Sequence, residues 1–315
     1  MGTVLPLITI VCPVYNEEES IPIFYQRLQA AIVPLKEQYR FELLFTNNRS
    51  SDRTLDVIHE LRESDSTVQV LTLSRNFGYQ GSVLCGMTYA QGDGIMTIDV
   101  DCEDPPELIP EFIRHWEQGY DIVYGIRGNR PESRLIVGLR RLFYRLLRFT
   151  ADADIIVDMA EFSLISSYVR DAIINNKSTF PFLRTEIGYV GFEKFGIPYD
   201  RQKRVRGTSN YNLWRMALFA VGGILSSSTF PMRAAVYLLP IIAIINVLGF
   251  IADILISAPI LFKGLVIGDL LYAILLLTTH GIYLARIYKN GVARPVFLVD
   301  WRKSSVNSNI LKFWK

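Results

Sequence analysis

Two long apolar runs near the C-terminus set the main limit on what this chain can fold into. Ala234–Ile256 (AAVYLLPIIAIINVLGFIADILI) has 23 residues and one formal charge, Asp253; Leu265–Ile287 has another 23, broken by Asp269, His280 and, near its end, Arg286. A helix needs about 20 apolar residues to cross the hydrocarbon core of a bilayer, so each run is long enough to span. The segment 257–264 between them carries Pro259, Gly264 and one lysine, which predicts a tight hairpin outside the lipid. A buried helical hairpin in a soluble α-helical domain would share the apolar runs but not the basic flank of Arg286, Lys289, Arg294, Arg302, Lys303, Lys312 and Lys315. By the positive-inside rule that flank stays cytoplasmic, and two spans return the large N-terminal head to the same side. Asp253 and Asp269 fall within a few residues of the hairpin tip, where interfacial water is in reach. For His280 the expectation is a helix–helix hydrogen bond.

Charge divides the chain in the same place. The 315 residues hold 33 Lys+Arg and 31 Asp+Glu, but from Arg233 onward there are nine basic and three acidic residues, leaving 24 and 28 ahead of it. An acidic head on a basic, apolar tail excludes a nucleic-acid binder and describes a membrane-anchored domain. Cys12, Cys85 and Cys102 are too few and too scattered for a disulfide framework or a Cys-rich zinc site. No charged n-region precedes an apolar h-region at the start, so no signal peptide is expected.

The head reads as an α/β fold. Leu7–Pro13, Phe41–Phe45, Val68–Leu73, Gly94–Ile98 and Tyr120–Tyr124 are apolar, β-branched runs, separated by helical stretches that include Thr54–Arg62, Gly81–Ala90 and Pro106–Gln118. Asn16, with Glu19 three residues on, predicts a capping box for the first helix. Strands alternating with helices make a mostly parallel, Rossmann-like sheet, whose ligands bind at the carboxyl ends of the strands. Those ends are Pro13–Glu18, Thr46–Asp52, Asp99–Glu103 and Gly125–Arg127. At the third, Asp99 and Asp101 point to one side by strand alternation and Glu103 can fold back toward them. Clustered carboxylates repel unless a cation joins them, and hard oxygen ligands suit Mg²⁺ or Mn²⁺. A solvated acidic loop would read the same way.

The succession ITIVCPVYNEEESI, SSDRT, LSRNFGYQGSVLCGM and TIDVDCEDPPELI resembles the inverting glycosyltransferases of family 2, which have the GT-A fold. YGIR at 124–127, VDMAEFSLIS at 157–166, PYDRQKRVRGTSNYNL at 198–213 and GIYLARIYKNGVARP after the second span narrow the resemblance to polyisoprenyl-phosphate glycosyltransferases. That group contains dolichol-phosphate mannose synthases and bactoprenol (undecaprenyl-phosphate) glucosyltransferases, and the match covers nearly the whole chain.

The resemblance implies a site. Pro13, Tyr15, Glu17 and Asn47 match the cradle for nucleotide base and ribose, although Asn47-Asn48 stands where relatives carry an acidic pair or Asp-Asn. An Asn carbonyl can still accept from a uracil ring N–H. Arg75, Gly78 and Gln80 match the segment that closes over the nucleotide. Asp99 and Asp101 match the D-x-D that meets ribose and metal, with Glu103 in a position commonly Gln; Asp99 as a ribose ligand alone is the other reading. Asp158 and Glu161 occupy the family's D-x-G-D-F segment, here D-M-A-E-F. Asp158 takes the catalytic position, and because a lipid phosphate is already anionic its task is orientation or charge balance more than deprotonation. Arg127, Arg201, Arg204 and Ser209 match positions near the phosphates of donor and acceptor.

Leu135–Phe149 bears on the lipid independently of the resemblance. At 100° per residue Arg134, Arg141, Arg145 and Arg148 share a stripe opposite Leu135, Leu139, Leu142, Phe143 and Leu146. Such a helix suits an anionic membrane surface, or packs on the sheet or another subunit. The implied organisation is a GT-A head over 1–210, an amphipathic interface segment over 211–232, the hairpin over 233–290 and a basic cytoplasmic tail over 291–315. The implied reaction is transfer of a hexose, glucose from UDP-glucose first, to polyprenyl phosphate, with GDP-mannose or a UDP-aminopentose as other donors. A non-catalytic nucleotide-sugar-binding scaffold is the rival, favoured by Asn47-Asn48. Self-association follows from the resemblance, with a tetramer among the options.

Overall fold

The computed structural model describes residues 4–128, 159–176, 182–204, 228–256 and 259–306. The predicted amphipathic helix 135–149, the segment 211–225 ahead of the first span, and the candidate residues Asp158 and Ser209 lie outside these.

Seven strands form one sheet. β1 (Leu7–Val14), β2 (Arg40–Asn47), β3 (Val68–Thr72), β4 (Gly94–Thr97) and β5 (Ile122–Arg127) are the five expected strands, with ends within three residues of those read from the sequence. Two more have no counterpart in that reading: β6 (Met159–Ser166) and β7 (Lys194–Tyr199). The order is β3-β2-β1-β4-β6-β5-β7, parallel throughout except that β6 runs antiparallel to both β4 and β5. β6 escapes a pattern search because it is inside the sheet with both faces covered. All eight of its residues are buried, a glutamate and two serines among them, so it shows no polar–apolar alternation.

Alternate residues of β1 divide the core between two layers. Ile8, Ile10, Cys12 and Val14 pack with Phe24 and Leu28 of α1 (Ser20–Ile32), Ile58 of α2 (Thr54–Ser64) and Phe112 of α4 (Ile109–Glu117). Val11 meets Val83 and Met87 of α3 (Gly78–Tyr89), Val169 of α5 (Ser167–Ile174) and Ile187 of α6 (Leu183–Val190) on the other face. Full burial of one such side chain contributes roughly 1.5–3 kcal/mol. α3 lies so close to the sheet that a Cβ on Gly86 would stand 2.1 Å from Val11 Cγ1.

The expected capping box does not form. Asn16 has φ 57 and accepts the N–H of Ser51 on its Oδ1 at 2.8 Å, so α1 begins only at Ser20, without a side-chain cap. An oxygen spent on bridging two loops is turned away from the helix it was expected to start.

Beyond the head, α7 (Phe230–Ile256) and α8 (Pro259–Val292) include two stretches, Phe230–Leu255 and Phe262–Val292, long and apolar enough to cross a membrane. α8 starts at Pro259, so most of the predicted 257–264 linker is helical, with proline in the first turn where its missing N–H costs nothing. Asn246 donates to Asp269 Oδ1 at 2.8 Å across the pair, so Asp269 has a partner on the other helix. His280 Nδ1 instead lies 2.8 Å from the carbonyl of Leu276 in its own helix, not on its neighbour as expected, because the carbonyl one turn back is the acceptor in reach.

Part of the basic tail is folded onto the head. After Ala293 (φ 50) the chain runs along β3: Ser74 donates to Leu298 O at 2.8 Å, Asp300 to Thr72 O at 2.7 Å and Ser305 to Val70 O at 2.8 Å. Phe297, Val299, Trp301 and Val306 pack on Leu71, Leu73 and Tyr89, with the Trp301 and Tyr89 rings edge to face at 5.4 Å. β3 would otherwise present open backbone groups at the edge of the sheet, and this strap covers them.

Candidate active site

The carboxyl ends of β1, β2, β4 and β5 share one edge of the sheet, and antiparallel β6 brings its first residues to the same edge, where Met159 pairs with Ile126. Chain direction alone therefore collects the loop after β1, the loop after β2, Asp99–Asp104, Arg127 and Glu161.

The loops after β1 and β2 are stitched to each other. Asn16 N–H donates to Ser50 Oγ at 3.0 Å, Glu17 N–H to Thr54 Oγ1 at 2.8 Å, and Arg53 N–H to Glu18 Oε2 at 2.8 Å. Pro13 is buried at the end of β1, whereas Tyr15 is 46% exposed at the mouth. Asn47 and Asn48, 1% and 4% exposed, are both used internally. Asn47 Oδ1 accepts from Ser50 N–H at 2.9 Å. Asn48 accepts from Phe77 N–H at 2.8 Å through Oδ1 and donates to Asn76 Oδ1 at 3.1 Å through Nδ2. An aspartate at 48 could do the first and not the second. The departure from an acidic pair is thus matched by Asn76, which the sequence reading did not single out.

Arg75 lies with its guanidinium 3.9 Å over the Phe77 ring, and Gly78 takes φ +80 at the start of α3. Gln80 Oε1 accepts from Leu183 N–H at 3.0 Å, tying α3 to α6. Tyr79, between these candidates, donates its hydroxyl to Asp99 Oδ1 at 2.8 Å.

Asp99 belongs to a crowd of carboxylates. Burial, with Asp101 and Asp104 nearby, pushes its carboxyl up to about 8. Asp101 Oδ1 accepts from Glu103 N–H at 3.0 Å, while its Oδ2 is 3.9 Å from Arg204. Glu103 does not join the two aspartates; it pairs with Arg201. The expected metal-binding trio is accordingly not assembled. Among the described residues no three His, Cys, Asp or Glu side chains stand together as a ready metal site. Asp99 and Asp101 remain as hard oxygen donors whose mutual repulsion a divalent cation would relieve. A pair of carboxylates completed by substrate phosphates is a usual magnesium site.

The arginines are engaged. Arg127, 10% exposed, donates to Asp104 Oδ2 at 2.9 Å, and the Tyr199 hydroxyl donates to the other oxygen of Asp104, itself 1% exposed. Burial works against the Arg127 charge, but Asp104 and Tyr199 more than offset it and hold the guanidinium protonated. Arg204 bridges Glu17 and Asp101, which brings the segment after β7 over the site. Glu161 accepts from Arg184 Nε at 2.9 Å. Asp104 could have been suspected from its place beside the D-x-D run; Arg184, 23 residues from its carboxylate partner, carries no local signal.

A mostly parallel sheet whose carboxyl edge carries the candidate site is the layout expected of a GT-A glycosyltransferase, and the family match gives the class. The chain belongs to glycosyl transferase family 2, whose model matches residues 9–173. It is 36% identical over 304 residues to an uncharacterized glycosyltransferase, YkcC, of Bacillus subtilis (strain 168), with 93% of each chain covered. It is 34% identical over 305 residues to the bactoprenol glucosyl transferase of Shigella phage SfX, covering 94% of this chain and 99% of that one. Among solved structures it is similar to glucosyl-3-phosphoglycerate synthase from Mycobacterium tuberculosis in complex with Mn²⁺, UDP and phosphoglyceric acid. There the TM-score is 0.47 at 19% identity, covering 70% of this chain and 78% of that one.

Proposed function

We propose that this glycosyltransferase moves a hexose, glucose from UDP-glucose, onto polyprenyl phosphate at the cytoplasmic face of a membrane, with inversion at the anomeric carbon. The observation that carries this reading is the pairing, in one chain, of a family 2 site with two exposed apolar helices of membrane-spanning length. Such helices keep the site at a membrane surface, where a lipid-linked acceptor is held. The relatives named bactoprenol glucosyl transferase support both the sugar and the lipid carrier. The catalytic head and both termini are placed on the cytoplasmic side, and the chain is read as a homo-oligomer.

In this reading the stitched loops after β1 and β2 hold the base and ribose, and Asp99 and Asp101 hold Mg²⁺ or Mn²⁺. When bound, the ion neutralises charge on the leaving nucleoside diphosphate. Arg201 and Arg204, now against Glu103, Glu17 and Asp101, exchange those carboxylates for phosphate oxygens when the donor enters. Asp158 and Glu161 are assigned to the acceptor. A phosphate oxygen of the lipid attacks the anomeric carbon as the bond to the nucleoside diphosphate breaks, and this needs alignment more than a base.

The test is transfer of label from UDP-[¹⁴C]glucose into organic-extractable lipid, with GDP-mannose and a UDP-aminopentose as parallel donors. Metal-dependent labelling from UDP-glucose is the expected result. Labelling only from another donor would replace the sugar, and label that stays wholly aqueous with every donor would overturn the reading.

A further inference from the structure

We propose that Arg184 binds the phosphate of the acceptor, a role that rests on the polyprenyl-phosphate reading above. Arg184 enters the site from the first turn of α6, and its Nε donates to Glu161 Oε1 at 2.9 Å with the two side chains only 19% and 8% exposed. The pair is unfinished. No other bond to the Arg184 guanidinium is formed among the described residues, so its Nη1–Nη2 edge has no partner there. Glu161 Oε2 is buried without a hydrogen-bond partner. A buried ion pair repays its desolvation only when the remaining donors and acceptors are satisfied, and a single bond leaves most of this one unmet.

A phosphate monoester supplies the acceptors that the guanidinium edge lacks. Two of its oxygens match the guanidinium edge bidentately. Near neutral pH it is largely dianionic, because the second ionisation falls near 6, so its oxygens accept from the guanidinium and the Arg184 charge answers theirs. Arg127 and Arg204 are more fully committed, Arg127 using Nη2 on Asp104 and Nε on the Tyr199 hydroxyl and Arg204 spanning Glu17 and Asp101, while Arg201, paired with Glu103, is more exposed than Arg184. Arg184 is also held in register. Gln80 accepts from Leu183 N–H at 3.0 Å, so α6 is fastened to the helix that begins the nucleotide side.

The experiment is binding of farnesyl phosphate to the full chain in detergent, by calorimetry, beside inorganic phosphate, farnesol and UDP. Arg184→Gln is expected to weaken farnesyl phosphate by about tenfold or more, as loss of charged hydrogen bonds does, with UDP affinity unchanged. Arg184→Lys keeps a charge for Glu161 but lacks the second edge; it should melt like the parent and fall between the two in affinity. In transfer assays the loss should appear in KM for the lipid and not in KM for the donor. Equal affinity of parent and both variants for farnesyl phosphate would overturn the role of Arg184 while leaving the acceptor reading intact. No binding by the parent would overturn both. Inorganic phosphate bound as tightly as farnesyl phosphate, with the same dependence on Arg184, would make the ligand a soluble phosphate and overturn the lipid assignment.

Discussion

The two sides of the site are finished to different degrees. On the proposed nucleotide side, the loops after β1 and β2 are bound to each other by neutral or singly charged hydrogen bonds, and Asn48 has both ends of its amide matched. On the proposed acceptor side, Arg184 faces Glu161 through one bond, and Glu161 keeps a buried oxygen with nothing to bond. The first is a cradle already in shape. The second pairs opposite charges but leaves the Arg184 guanidinium edge open, which is the state expected of a surface that receives an anion.

Breaking the acceptor side should cost most. Asp158→Ala is expected to lower lipid labelling by about a hundredfold or more, in the range of lost positioning or acid–base groups, with UDP affinity kept; unchanged labelling would remove Asp158 from the reaction. Between the two sides lies Asp99. Its carboxyl, ordinarily near 3.8, is raised to about 8, so between those values the folded protein holds a proton that the unfolded chain has lost. Stability of the metal-free protein should therefore fall as pH rises through that window, and affinity for Mn²⁺ should rise over the same range. Melting curves with and without Mn²⁺ from pH 5 to 8 check both signs, and calorimetry in two buffers should register a proton released on metal binding at pH 7.

The nucleotide side should show smaller effects, mostly in stability. Asn48→Asp sets a buried carboxylate oxygen against Asn76 Oδ1, which keeps its bond from Gly78 N–H, and about 1–3 kcal/mol of destabilisation is expected from the unpaired oxygen at position 48. Asn47→Asp should be milder, because only the Oδ1 that accepts from Ser50 is in use and a carboxylate accepts as well. Equal melting temperatures for the two would break the distinction. Trp301→Ala, which removes the edge-to-face contact on Tyr89 and loosens the strap, should cost about 1–2 kcal/mol and leave transfer by the folded fraction nearly unchanged.

Several of these features were open to reading from the chain. The parallel strands β1 to β5 announce themselves as short β-branched runs, and the two apolar helices by length and charge alone. D-x-D and the Asn pair stand in motif order, so the residues of the nucleotide side could be named before their contacts were known. Their partners could not. Asn48 finds Asn76, Asn16 finds Ser51 in place of its own helix, and Gln80 finds Leu183, each across a gap between elements.

What is local in the sequence is periodicity, chain breaks and the charge of a segment, and these suffice for the α/β head, the hairpin and the edge of the sheet where chemistry gathers. The antiparallel insertion of β6, the strap along β3, Glu103 turned to Arg201 and Arg184 laid against Glu161 were decided only by the tertiary structure. β6 is buried on both faces and so has no alternation to detect, while the strap and the ion pairs join residues whose nearness depends on strand order. A buried charge takes whichever partner the packing brings within reach, and one dimension of sequence does not record that distance.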